Sequence, residues 1–98
     1  MEITRMLTIS TAHISKETAD LLAGEYPIDS VPVWEMSIGI YSKEEYGWYI
    51  YFSLAERIHP SMPEDLAACL RLAHQHQCEV LCLDCDGEIV EGLPVYDW

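Results

Sequence analysis

Between residues 34 and 54 bulky apolar side chains recur at every second position, a spacing that an extended strand with one buried face satisfies and a helix does not. Trp34, Met36, Ile38 and Ile40 share one phase, and Glu35, Ser37, Gly39 and Tyr41 share the other. After the polar stretch 42–46 and Gly47, the apolar phase resumes with Trp48, Ile50, Phe52 and Leu54, against Tyr49, Tyr51 and Ser53. Two such runs with a longer connection predict a hairpin. If the apolar phase faces inward, Tyr41, Tyr49 and Tyr51 must stand on the opposite face, next to Glu35.

The remaining elements follow from local signals. The apolar run at 6–10 predicts a first strand. Ser15 is placed to cap a short helix over 16–23, and Gly24 to end it in a left-handed conformation. Two prolines within 25–32 predict a loop. Ser61 and Glu64 have the spacing of a capping box, and Met62, Leu66, Cys69, Leu70 and Ala73 recur at helical intervals, which predicts a second helix running to about Gln77. The run 80–83 suits a strand covered on both sides, and Asp86-Gly87 predicts a type I′ turn into a short strand at 88–90. The residues after it, ending in Tyr96 and Trp98, read as a tail that packs back.

Ninety-eight residues suit one domain, 1–98, and suffice for an ordinary core. The order strand, helix, strand, strand, helix, strand predicts an α+β fold of ferredoxin-like βαββαβ plan. In that plan an antiparallel sheet carries both helices on one face, here with a short C-terminal hairpin strand added. The competing arrangement is a mixed sheet in which the first and fourth strands run parallel. The choice matters chemically. Parallel pairing brings His13 and Asp84 to the same end, whereas the antiparallel plan sets them at opposite edges.

Seventeen acidic against five basic residues give a formal charge of -12, and a field of that sign repels polyanions. A nucleic-acid ligand is therefore disfavoured. After Arg71 there is no lysine or arginine, while Glu79, Asp84, Asp86, Glu88, Glu91 and Asp97 follow. That half of the chain serves solubility or offers carboxylates to a basic protein groove in place of phosphates. With no long apolar stretch and no basic leader, a cytoplasmic location is expected, without a membrane.

Three groupings invite chemistry. His74, His76, Cys78, Cys82 and Cys85 offer imidazole and thiol ligands suited to zinc, but an alternating strand sends Cys82 and Cys85 to opposite sides. Reduced thiols buried as small hydrophobes account for the same residues. Asp84, Asp86 and Glu88 surround a tight turn, where a hard cation would balance their repulsion, although the Asp-Gly pair is explained by the turn alone. Ser10, Thr11 and His13 lie between a strand and a helix start, where an imidazole has room to move a proton. No phosphate loop, nucleophile elbow or nucleophile and base pair accompanies them, and His59 carries no further signal.

The segments Ile9-Ser10-Thr11-Ala12-His13-Ile14-Ser15, Tyr46-Gly47-Trp48, Leu81-Cys82-Leu83-Asp84 and Gly92-Leu93-Pro94-Val95-Tyr96-Asp97-Trp98 together resemble a family of small acidic bacterial proteins of unknown function carried on plasmids and other mobile elements. The resemblance implies a bacterial cytoplasmic accessory protein and transfers no catalytic residue. The functional expectation is therefore a non-enzymatic, cofactor-free interaction module. Tyr41, Tyr49, Tyr51 and Glu35 would engage a protein partner or a second copy, in the manner of an inhibitor or nucleic-acid mimic. The alternative is a small enzyme or metal-dependent hydrolase built on His13 with Asp84 and Asp86.

Overall fold

A computed structural model describes residues 1–25 and 31–98. Among these residues four strands, β1 (Met6–Ser10), β2 (Gly39–Lys43), β3 (Gly47–Tyr51) and β4 (Val80–Asp84), form one sheet that packs with two α-helices, α1 (Lys16–Leu22) and α2 (Glu64–Gln75). This is a mixed α+β architecture. The strand order is β1-β4-β3-β2, with β1 parallel to β4 and the other two pairings antiparallel. The sheet is thus mixed, not the antiparallel ferredoxin-like plan. The last strand enters between the first and the third, and β1 sits at an edge.

Four-residue rows across the sheet define its two faces. Leu7, Leu81, Ile50 and Ile40 form one row, and Ile9, Leu83, Trp48 and Ser42 form another two residues along. The buried core takes its strand residues from these rows and adds Ala19 and Leu22 from α1 with Leu66, Ala67, Cys69 and Leu70 from α2. Both helices therefore cover the same face. Fully burying a single side chain of this kind contributes about 1.5 to 3 kcal/mol, so the face is fixed by area. A one-residue slip of any strand would turn it outward.

The helices are tied together by a residue whose sequence context suggests only a favourable dipole contact. Asp65, in the first turn of α2, accepts hydrogen bonds from the Ser15 N–H at 2.7 Å and the Thr18 hydroxyl at 2.7 Å. Ser15 caps α1 as expected, its Oγ accepting from the Thr18 N–H at 3.2 Å. The capping box at Ser61 does not form. The Ser61 hydroxyl lies 2.7 Å from His59 Nδ1 instead, and Pro63 occupies the cap with its carbonyl accepting from the Ala67 N–H at 2.9 Å. At the other end Gln77 adopts a left-handed φ of 55°, and the Cys78 N–H reaches the Ala73 carbonyl at 2.9 Å, which closes α2 as a Schellman motif.

Two strand expectations differ from the observed chain. Residues Val33–Ser37 form a 3-10 helix, with the Glu35 N–H bonded to the Pro32 carbonyl and Trp34 buried in the core. The reason lies in the partner strand: the ladder ends at Gly39 opposite Tyr51, and the Phe52 N–H turns to the Glu79 carbonyl. With no neighbour left to pair with, the period-two pattern buries its tryptophan through a turn. The second difference is the Asp86-Gly87 hairpin. Asp84 to Gly87 form a turn closed by the Gly87 N–H on the Asp84 carbonyl at 2.8 Å, but Gly87 does not take a positive φ and no strand follows. The chain instead crosses the end of β1, where the Ser10 N–H donates to the Glu88 carbonyl at 2.9 Å. A side chain at Gly87 would collide with the Ile9 backbone. Of the loop expected at 25–32, residues 26–30 lie outside the described residues.

Among the described residues, no helix is long and apolar enough to cross a membrane.

Candidate functional site

The face that the helices leave bare is built from the other rows. Met6, Val80, Tyr51 and Gly39 form one, Thr8, Cys82, Tyr49 and Tyr41 the next, and Ser10, Asp84, Gly47 and Lys43 the third. Period two thus places Tyr41, Tyr49 and Tyr51 together on this side. Tyr41 and Tyr51 keep 60% and 47% of their surface exposed, although Val80 and Cys82 in the strand between β1 and β3 are buried. Neither belongs to the cluster that contains the helices.

The rings are ordered by one another. Tyr41 and Tyr51 meet edge to face with centroids 5.4 Å apart, the arrangement their quadrupoles favour. Gly39 makes room for it, because a Cβ there would lie 3.3 Å from the Tyr41 ring. Lys43 reaches over Tyr49, with Nζ 5.7 Å from the ring centroid, and forms an ion pair with Asp84. The bond to Asp84 holds the Lys43 ammonium above its usual range, and the same bond, together with the Asp86 N–H, holds the Asp84 carboxyl below its own. Burial pushes the Cys82 thiol up, which disfavours its thiolate. Gly47, at φ 152°, lets β3 approach β4 so closely that any side chain would strike the Leu83 carbonyl.

Glu35 does not join this face. It lines a depression with Leu22, Gly24, Ile38 and Ile40, on the helix side of the sheet.

His13 is wholly buried and occupied at both ring nitrogens. Nδ1–H donates to the Pro94 carbonyl at 2.7 Å, and Nε2 accepts from the Val90 N–H at 2.9 Å. These partners specify the neutral tautomer and leave no lone pair for a substrate. Parallel pairing does set Ser10 opposite Asp84, yet the imidazole is spent on the tail and not on that carboxylate. Ser10 Oγ likewise accepts from the Ala12 N–H at 3.0 Å and caps the 3-10 turn Thr11–His13. The tail continues over this turn, with the Tyr96 N–H on the Ala12 carbonyl at 2.7 Å and Trp98 Nε1–H on the Ile14 carbonyl at 2.8 Å. None of these bonds reaches Tyr41, Tyr49 or Tyr51.

The soft ligands are dispersed. His74 stacks on Phe52 at 5.6 Å, Cys78 is buried with its thiol directed to the His76 carbonyl, Cys82 lies under the tyrosines, and Cys85 is exposed in the turn after β4. Among the described residues, the one close grouping of metal-binding side chains is Asp84, Cys85 and Asp86, with ligand atoms within 4.8 Å of one another. Asp84 enters it already bonded at both oxygens, to Lys43 and to the Asp86 N–H at 2.8 Å. A cation there would compete with the Lys43 ammonium for the Asp84 carboxylate.

Sequence reasoning passed over Lys43, although its position two residues beyond Tyr41 puts it on the same face by the same period.

Fold and site together define a two-layer α+β domain whose sheet is covered by helices on one side and presents an aromatic surface on the other. The chain belongs, over residues 6–98, to the family of unknown function DUF5983, and corresponds to its C-terminal domain. No curated protein and no solved structure matches it.

Proposed function

We propose that this domain is a non-enzymatic interaction module, a cytoplasmic accessory protein of bacterial mobile elements, whose bare sheet face engages a basic protein partner. The observation that supports this reading is the exposure of Tyr41 and Tyr51 on a face that neither helices nor tail cover. Rings already packed against each other lose little freedom on binding, which suits them to anchor an interface. The net charge of -12 selects for a partner of opposite sign and steers its approach. In this reading the domain acts as an inhibitor or nucleic-acid mimic, its carboxylates standing where phosphates would bind.

Photocrosslinking tests the proposal directly. A benzoylphenylalanine in place of Tyr41 should capture a basic protein in host extract, and one in place of the exposed Glu17 on α1 should not. Capture should fall as salt is raised, because screening shortens the reach of exposed charges to about 8 Å near physiological ionic strength. Equal capture from both positions, or capture of the same chain alone, refutes the hetero-partner reading. The second outcome would identify a homodimer.

A further inference from the structure

On the helix side, where β1 and β4 end, a cleft of about 560 Å³ opens between the β2–β3 turn, the end of α1 and the tail. We infer that it binds an organic cation, an alkylammonium or guanidinium group, between Tyr46, Trp48 and Trp98 and against Glu44 and Glu45. This inference is independent of the tyrosine face.

Among the described residues, three aromatic side chains line the cleft, and no lysine, arginine or histidine does. Trp98 is 54% exposed, yet its Nε1–H is fixed on the Ile14 carbonyl at 2.8 Å, so the ring stands in place without a packing partner over its outer half. Tyr46 is 42% exposed and similarly anchored through its backbone, its N–H on the Lys43 carbonyl at 2.9 Å and its carbonyl accepting from the Cys85 N–H at 2.8 Å. Glu44 is held in a left-handed conformation at φ 49° by the turn that joins β2 and β3. Neither Glu44 nor Glu45 forms an ion pair among the described residues, and the adjacent Lys43 is committed to Asp84 on the other face. Aromatic faces attract a cation through their quadrupole, most strongly for tryptophan, and unpaired carboxylates add charge without desolvating an existing pair. A neutral apolar ligand would gain from the rings alone. A cation gains from both.

The test is a titration of the full chain with choline, with N-acetyl-lysine methylamide and with N-acetyl-arginine methylamide, followed by the indole N–H resonances. Trp48 and Trp98 should move saturably, and the buried Trp34 should stay, with Kd of about 1 mM or tighter for the best cation. Trp98→Leu should weaken binding about tenfold. Glu44→Gln with Glu45→Gln, at exposed positions that leave the core intact, should also weaken it and abolish its salt dependence. A preference for choline points to a free quaternary ammonium, and a preference for the lysine or arginine probe to a side chain of another protein. If 3,3-dimethyl-1-butanol, the neutral isostere of choline, shifts the same resonances equally, or if no probe shifts them, the inference is overturned. Tyr41→Thr with Tyr51→Thr should leave cation binding unchanged, which separates failure here from failure of the sheet-face reading.

Discussion

His13 offers the sharpest separation between a structural and a catalytic imidazole. His13→Phe keeps most of the ring volume and removes both hydrogen bonds, to Pro94 and Val90. These partners lie at the partly exposed tail and regain some water when freed, so each loss costs about 1 kcal/mol and the pair about 2 kcal/mol. His13→Ala also leaves an unfilled site at a position with no exposed surface, adding roughly 2 kcal/mol for a total near 4 kcal/mol. At about 4 to 8 °C per kcal/mol for a domain of this size, Tm should fall by about 8 to 16 °C for Phe and roughly twice that for Ala. Calorimetry measures the fall. Hydrogen exchange should show the Val90 amide losing protection while β4 amides keep theirs in the Phe variant. A Tm change under about 4 °C with Val90 still protected would refute the argument that the ring holds the tail.

Other consequences are as direct. Asp65→Ala should cost about 3 to 5 kcal/mol in chemical denaturation, since it strips a charged acceptor from the Ser15 N–H and the Thr18 hydroxyl, two bonds that share one carboxylate and are not strictly additive. The Cys69 thiol, pushed up to about 12 by burial and then by the nearby Asp65 carboxylate, favours the neutral form in the folded state. Its contribution is therefore complete below the unfolded value of 9.0 and is lost as pH rises toward 12, so Tm should decline over that window and Cys69→Ala should flatten the decline. Gln77→Gly should raise stability by roughly 0.5 to 1 kcal/mol by relieving the left-handed backbone that ends α2, read as a shift in denaturation midpoint.

Much of the fold is legible in the sequence because its rows repeat locally. The phase of residues 39–43 and 47–51 places three tyrosines on one face before any partner strand is known. The Ser15 cap needs only four residues to be recognised. Pairing is another matter. Nothing in the run 80–83 says whether it lies beside β1 in parallel or antiparallel, because that choice is made by the path of the whole chain. The strand expected over 34–41 forms only from Gly39 for the same reason: alternation describes a side-chain phase, and the ladder that would use its first part ends at Gly39. Asp65 was read only against the dipole of its own helix, and His13 against Asp84 and not the tail; each turns out to bond a segment about 50 to 80 residues away.

The placing of β4 between β1 and β3 has a bearing on how the molecule is made. During synthesis the β2–β3 ribbon can pair as soon as it emerges, but β1 has no neighbour until residues 80–84 follow. Until residues 80–84 emerge an apolar edge and a half-built sheet wait for that one segment, the situation in which nascent chains recruit chaperones or join wrongly to one another. Insertion of that segment joins every strand at once, and substitutions that delay it should be felt as lost yield in the cell before they are felt as lost stability in the tube.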